Sequence, residues 1–319
     1  MEGKLVLIDG HSILNRAFYG MPALTNSQGR PTGAVYGFLN ILFKILEEEK
    51  PQYLAVAFDL HAPTFRHKMY EAYKGTRKPM PEELREQVPV MKEVLKAMDV
   101  CILEKEGYEA DDILGTWARK GEREGLLVTI VSGDRDLLQL ATDRVLVRIP
   151  KTKGGKTVIE DYHTREVLEK YQLTPPQIID LKALMGDSSD NIPGIPGVGE
   201  KTATKLVSTY GSLEEAYAHL EEIKPKKAME SLRDHYDLAV LSKKLATICT
   251  DSPVSLDLEQ ARLKDLYTEQ AYELFKELNF KNLLPRFQGQ GGGGKEPEVQ
   301  ILEELGRAEV LSDPEEKEE

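Results

Sequence analysis

Cysteine is almost absent from this chain: Cys101 and Cys249 are the only two in 319 residues. Two isolated thiols build neither a disulfide framework nor a zinc site, and they read as core or near-surface residues of a reducing compartment. Histidine is nearly as sparse, with six, and none falls into an HExxH-type metal pair. Any metal here is therefore expected on oxygen ligands. No run of 18 apolar residues exists, which excludes a membrane-spanning helix. The opening "MEGKLVLIDGHSILNRAF" has charges inside its apolar run and no small-residue cleavage site. It reads as a first strand rather than a signal peptide, and a cytoplasmic location is the expectation. A glycine-rich Walker loop is also missing, which argues against nucleoside triphosphate hydrolysis.

What is abundant is acid. The formal net charge is −12, which taken alone argues against a nucleic-acid partner. The distribution changes that reading. Residues 289–319 hold ten acids and three bases, so they carry −7 and the remainder only −5. The local patches then matter more than the total.

Several acids fall at the ends of apolar runs. "KLVLID" (4–9) ends in Asp9, "YLAVAFD" (53–59) in Asp59, and "LLVTIVSGDRD" (126–136) in Asp134 and Asp136. "RVLVRI" (144–149) and "GKTVIED" (155–161) add two further strand candidates, and helical patterns cover about 33–49, 82–98 and 109–124. Strands alternating with helices of this length predict an α/β fold with a central, mostly parallel, twisted sheet flanked by helices. Ligands of such sheets lie beyond the carboxyl ends of the strands, where these aspartates sit. A single strand-end Asp is ordinary turn chemistry; three separate ones are harder to dismiss.

The stretch "EADDILGTWA" (109–118) opens a helix with Glu109, Asp111 and Asp112. The helix dipole favours one or two acids there. Three repel one another unless cations lie between them. Asp187 and Asp190, three apart in "GDSSDN", can also share a face. These residues make nine candidate carboxylates on five segments: Asp9, Asp59, Glu109, Asp111, Asp112, Asp134, Asp136, Asp187 and Asp190. Hard divalent ions such as Mg²⁺ or Mn²⁺ take oxygen ligands, and nine are too many for one ion. Two or more metal positions fit better, some ligands acting through water, and paired metals serve phosphoryl chemistry.

Two segments look made for nucleic acid. "HAPTFRHKMYEAYKGTRKPMP" (61–81) interleaves Arg66, Lys68, Lys74, Arg77 and Lys78 with Phe65, Tyr70 and Tyr73. Such a run is usually solvated surface. Beside an acidic cluster it reads as a contact surface for phosphates and bases on a mobile loop or arch. "GIPGVGEKTA" (194–203) puts Gly194, Gly197 and Gly199 before a helix start, followed by Lys201 and Lys205. Its plain reading is a helix–turn–helix joint. Its exposed amides suit a phosphate. "QGQGGGG" (288–294) reads as a flexible linker to an acidic tail.

The strings "LIDGHSILNRAFY", "AFD", "TFRHKMYEAYKGTR", "YEADDILGT", "SGDRDLLQL" and "GDSSDNIPGIPGVGEKTA" occur in order along nearly 290 residues. Together they resemble the 5′ nuclease domain of bacterial DNA polymerase I, in the wider flap endonuclease and 5′–3′ exonuclease family. The resemblance implies an α/β nuclease core over 1–173 with a helical arch at about 61–90. It also implies a helical DNA-binding region over 174–288 with a helix-hairpin-helix at about 190–207, and a flexible acidic tail over 289–319. It implies metal binding at all nine acids, with two Mg²⁺ ions that Mn²⁺ can replace, and a monovalent cation at the hairpin. Catalytic roles fall on Asp9, Asp134, Lys74 and Arg66, the last two reaching the scissile phosphate; backbone steering is the alternative for either. Tyr73 stacks on a base or packs the arch, and Arg77 holds a 5′ phosphate or flap strand. Arg16 contacts DNA or pairs with an acid. Gly194, Gly197, Gly199, Lys201 and Lys205 grip duplex backbone, and His11 packs behind Asp9. The implied activity is metal-dependent hydrolysis of phosphodiesters at 5′ flaps and 5′ ends of duplex DNA, and of RNA primers, in replication and repair. The implied partners are flapped, nicked or 5′-ended duplex DNA and RNA-primed DNA, met by a monomer. A non-catalytic DNA junction-binding module and a small toxin-type ribonuclease are the competing classes. The chain has no room for a polymerase site, and is either an excised domain or a free-standing nuclease.

Overall fold

The apolar runs form the strands of one sheet. The computed structural model describes residues 3–153 and 156–291. β1 (Lys4–Asp9) lies at the centre, and its Leu5, Val6, Leu7 and Ile8 are all but completely buried. A strand covered on both faces needs such an unbroken apolar run. Each of these side chains contributes roughly 1.5–3 kcal/mol by leaving water. Around it lie β2 (Tyr53–Ala57), β3 (Cys101–Leu103), β4 (Leu127–Val131), β5 (Val145–Lys153) and β6 (Lys156–Tyr162). The order is β3-β2-β1-β4-β5-β6; all neighbours are parallel except β5 and β6. The mostly parallel sheet is as expected. β3 was not anticipated, because three residues carry no periodicity.

Helices cover both faces. α1 (Gly10–Gly20) and α2 (Gly33–Glu49) pack on one side, where Ile13, Leu14, Phe38, Leu39 and Leu42 meet Val6, Ile8 and Val56. α3 (Phe65–Met69), α4 (Glu82–Arg85) and α5 (Gln87–Ala97) follow β2. α6 (Ala110–Arg123) covers the other face with Ile113, Leu114, Trp117 and Ala118 against Leu5, Leu7 and Ile130. The chain turns from β1 into α1 without a loop. Gly10 permits this, since a Cβ there would run into the Phe58 ring.

Beyond the sheet come α7 (Thr164–Tyr171), α8 (Gln177–Met185), α9 (Glu200–Tyr210), α10 (Leu213–Ala218), α11 (Lys226–Asp234), α12 (Tyr236–Ala246), α13 (Leu258–Ala261) and α14 (Glu269–Glu277). α8, the loop carrying Gly194 and Gly197, and α9 form the expected helix-hairpin-helix. Gly194 has φ 60°, and its backbone lies against Gly186 so closely that no side chain fits. The basic segment, expected as a loop or arch, contains α3. After α3 it forms a tight turn docked on the 187–192 loop, with Lys74 N–H donating to Asp190 O (2.8 Å) and Asn191 Nδ2 to Ala72 O (2.6 Å). Among the described residues no helix is long and apolar enough to cross a membrane. The acidic tail lies outside the described residues from 292 onward.

Candidate metal and nuclease site

The carboxyl ends of the parallel strands converge. Asp9 closes β1 and caps α1: its Oδ1 accepts from Ser12 N–H (3.0 Å) and its Oδ2 from Ser132 Oγ (2.7 Å), just past β4. Asp59, exposed two residues past β2, accepts from Ala110 N–H at the start of α6 (2.8 Å). His11 stands behind it, its Nδ1 accepting Asp59 N–H (3.1 Å). Asp134 caps the short 3₁₀ helix Arg135–Leu140 by accepting Asp136 N–H (2.8 Å). Two of these acids cap the helices that follow β1 and β4, and Asp59 is tied to the start of α6.

The electrostatics record the crowding. Burial, together with the charges of Asp59 and Asp134, pushes the Asp9 carboxyl up to about 7. Burial and then Asp134 and Asp9 hold Asp111 well above the usual carboxylate range. Asp136 is also pushed up to about 7, by burial and then Asp134. Anions forced together raise one another's affinity for protons, and a bound cation relieves the same stress.

Lysines meet the rest of the acids. Lys182 Nζ on α8 pairs with Asp136 and, at 2.5 Å, with Asp187 Oδ2. Burial opposes the Lys182 charge, but the two aspartates outweigh it and raise the ammonium above its ordinary range. Against the burial that raises it, Lys182 in turn holds Asp187 down to about 2. Lys182 was not among the expected site residues; its position five residues before Asp187 was the available signal. Lys74 Nζ reaches Glu109 Oε1 (2.8 Å) and lies 3.8 Å from Asp190. Lys74 has φ 55°, a left-handed conformation that a non-glycine residue adopts only under constraint. Here the constraint is the turn that aims its amine. Arg77 pairs with Asp190 and donates to Ser189 O (3.3 Å).

Three expected site residues lie elsewhere than at an open surface. Tyr73 is buried, with its hydroxyl donating to Glu109 Oε2 (3.1 Å) and Asp190 Oδ2 (3.3 Å); burial and those two anions raise its pKa. This is the arch-packing alternative, not a stacking surface. Arg66 is 2% exposed and Asp112 0%, and they form a bidentate pair at 2.8 Å in both arms. Asp112 also accepts Glu109 N–H (3.0 Å), which explains part of the acidic helix start as a capping box.

Arg16 is half-buried on α1. Of the hairpin residues, Gly194 is buried against Gly186, while Gly197, Gly199, Lys201 and Lys205 are exposed. Lys201 and Lys205 on α9 line a cavity of about 530 Å³ with Lys170, Tyr171, Thr204 and Ser208. Among the described residues, no three His, Cys, Asp or Glu side chains converge closely enough to hold one ion as they stand. The donor set nonetheless suits hard divalent cations: it is all oxygen, crowded, and balanced by the cations of Lys74, Lys182, Arg66 and Arg77.

Residues 4–172 match the family described as 5′-3′ exonuclease, N-terminal resolvase-like domain, and residues 173–269 match 5′-3′ exonuclease, C-terminal SAM fold. The chain belongs to the 5′-3′ exonuclease family. It is 50% identical over 297 residues to DNA polymerase I of Bacillus caldotenax, covering 93% of this chain and 34% of that protein. It is 42% identical over 286 residues to the thermostable DNA polymerase I of Thermus thermophilus, covering 90% and 33%. The chain thus spans about a third of the length of these relatives. Its fold matches a structure of T5 5′-exonuclease with bound divalent metal ions (zinc), with TM-score 0.64 and 20% identity, covering 95% of this chain and 99% of that one.

Proposed function

We propose that the chain is a structure-specific 5′ nuclease that hydrolyses phosphodiesters at 5′ flaps and 5′ ends of duplex DNA, and RNA primers, during replication and repair. The observation that carries this reading is the set of neighbouring acids formed by Asp9, Asp59 and Asp134 at strand ends and Asp111 on α6, where burial and then the adjoining charges raise Asp9 to about 7 and Asp111 well above its ordinary range. Family membership and the metal ions of the T5 enzyme support it.

On this reading Asp9, Asp59, Glu109, Asp111 and Asp134 would hold one Mg²⁺, with Asp134, Asp136, Asp187 and Asp190 toward a second. Mn²⁺ is expected to substitute. Such ions polarise the phosphate and supply an activated water near neutral pH. The protein's own residues supply the rest. Lys74 brings positive charge to where the phosphoryl transition state gathers negative charge. Asp9 and Asp134 are held in place by Ser12, Ser132 and the Asp136 amide. Arg77 guides the 5′ strand, with Arg16 a further contact. Gly194, Gly197, Gly199, Lys201 and Lys205 hold duplex backbone away from the site, and position it without reading sequence. A monovalent cation at the hairpin, a monomeric state and a cytoplasmic location belong to the same reading.

The test is cleavage of a labelled 5′-flap duplex and of the same strand unpaired, with and without Mg²⁺, read on a denaturing gel. Mg²⁺-dependent release of the flap with little cutting of the single strand is expected. Tight flap binding without cleavage in Mg²⁺ or Mn²⁺ would leave a junction-binding module.

A further inference from the structure

The Arg66 guanidinium has five N–H groups, and each has an acceptor. Nε donates to Leu245 O (2.8 Å), Nη1 to Asp112 Oδ2 (2.8 Å) and Glu109 Oε2 (3.1 Å), and Nη2 to Asp112 Oδ1 (2.8 Å) and Thr247 O (2.7 Å). Asp112 is filled in the same way. Oδ1 accepts from Arg66 and Cys249 N–H (2.8 Å), and Oδ2 from Arg66 and Glu109 N–H (3.0 Å). No donor of Arg66 remains for a phosphate, and no lone pair of Asp112 remains for a metal.

We infer that Arg66 and Asp112 form an internal clamp of positioning residues, and that neither touches DNA or metal. This inference rests on the nuclease reading above. The clamp joins three segments distant in sequence: α3 at the root of the basic segment, the start of α6, and the end of α12 with the stretch after it. That last stretch is tied in further by Ile248 N–H to Gln139 Oε1 (2.9 Å), Gln139 Nε2 to Ala246 O (3.0 Å) and Ser252 N–H to Thr116 Oγ1 (3.0 Å). Arg66 lies eight residues before Lys74 and also holds the Glu109 carboxylate that Lys74 meets. Fixing α3 against α6 is therefore what brings Lys74 to Glu109. A buried pair with all its hydrogen bonds made can be replaced by apolar side chains of similar volume without losing the fold, whereas removing one partner strands a buried charge.

The experiment uses the full chain as wild type, Arg66→Met/Asp112→Leu, Arg66→Lys and, as a ligand control, Asp134→Ala. Mn²⁺ binding is followed by electron paramagnetic resonance, and flap cleavage in single turnover. The clamp predicts that the apolar double variant keeps the wild-type number of Mn²⁺ ions, with affinity within about threefold. Asp134→Ala should lose about tenfold or more. The double variant should cleave at least about tenfold more slowly with its flap Kd unchanged. Arg66→Lys should be no faster than the double variant, since an ammonium cannot serve five fixed acceptors. A tenfold loss of Mn²⁺ affinity in the double variant would make Asp112 a ligand and overturn the clamp. So would a wild-type cleavage rate in the double variant, or rescue by Arg66→Lys, which would mark Arg66 as a phosphate contact. If the double variant does not fold, the wild-type Arg66 Nε–H and Cys249 N–H resonances decide. They stay in place during Mg²⁺ titration if the clamp holds, and move if Asp112 turns to ligate. If the wild type binds no Mn²⁺, the nuclease reading fails, and the clamp stands or falls on melting, where each single apolar substitution must cost more than the pair.

Discussion

Without divalent cations, this protein should become less stable as the pH rises from 5 to 7.5. Asp9 and Asp136 carry carboxyls raised from 3.8 to about 7. A carboxyl with a raised folded pKa prefers its proton in the folded state. Its contribution is intact below 3.8 and is lost as the pH climbs toward 7. Over the interval from pH 5 to 7.5 each of the two groups costs roughly 2–3 kcal/mol by linkage. For a chain of this length the unfolding entropy is of order 0.6 kcal/mol per degree, so each corresponds to a fall of about 4 °C in Tm. Asp111 acts in the same direction. His11, whose pKa burial lowers, acts in the opposite direction near its ordinary value, so the net fall is smaller than the carboxyl contributions combined. Asp187, held down to about 2, contributes stability that is lost only below about pH 4, outside the interval. The assay is calorimetric melting in EDTA at pH 5 and 7.5, repeated in Mg²⁺. Tm should drop by several degrees in EDTA, and the gain from Mg²⁺ should be larger at pH 7.5, where fewer protons compete for the ligands. Asp136→Asn should flatten the EDTA profile. A Tm that is level or rises in EDTA, in a protein still bound by Mg²⁺, would refute the crowding argument.

Other expectations follow from individual contacts. Lys74→Ala should slow single-turnover cleavage by about 10²–10³-fold while Mn²⁺ binding persists, as measured by quenched flow and titration. Lys201→Ala should weaken duplex binding for all sequences alike and reduce the slope of log K against log salt by about 1, leaving the rate at saturating DNA unchanged. Gly194→Ala forces a side chain into the Gly186 backbone at φ 60°, and should lower stability by about 2–4 kcal/mol in urea melts.

The parts legible in the sequence are those with local signals. Asp9, Asp59 and Asp134 end apolar runs, so both the parallel sheet and the edge where its acids gather could be read. The hairpin announced itself by its glycines, two of which, Gly194 and Gly197, take positive φ. What stayed hidden depends on distant pairing. Arg66 and Asp112 are 46 residues apart, and nothing local says that this basic residue and this acid saturate each other. For Tyr73 the sequence left base stacking and arch packing both open, because its burial comes from Ile192, Leu245 and Ala246 far along the chain. Lys182 was one lysine in an ordinary helix until the fold set it between Asp136 and Asp187. β3 is held by its pairing with β2, not by any pattern of its own.

On the proposed function, the strand-end carboxylates form a cation site for DNA hydrolysis. Single-turnover cleavage of a 5′ flap in Mg²⁺ by the wild type and Asp134→Ala, with flap Kd measured on the same preparations, tests it most directly. Asp134→Ala should lose about 10³-fold or more in rate with Kd within about threefold. Cleavage by Asp134→Ala within tenfold of wild type would contradict it.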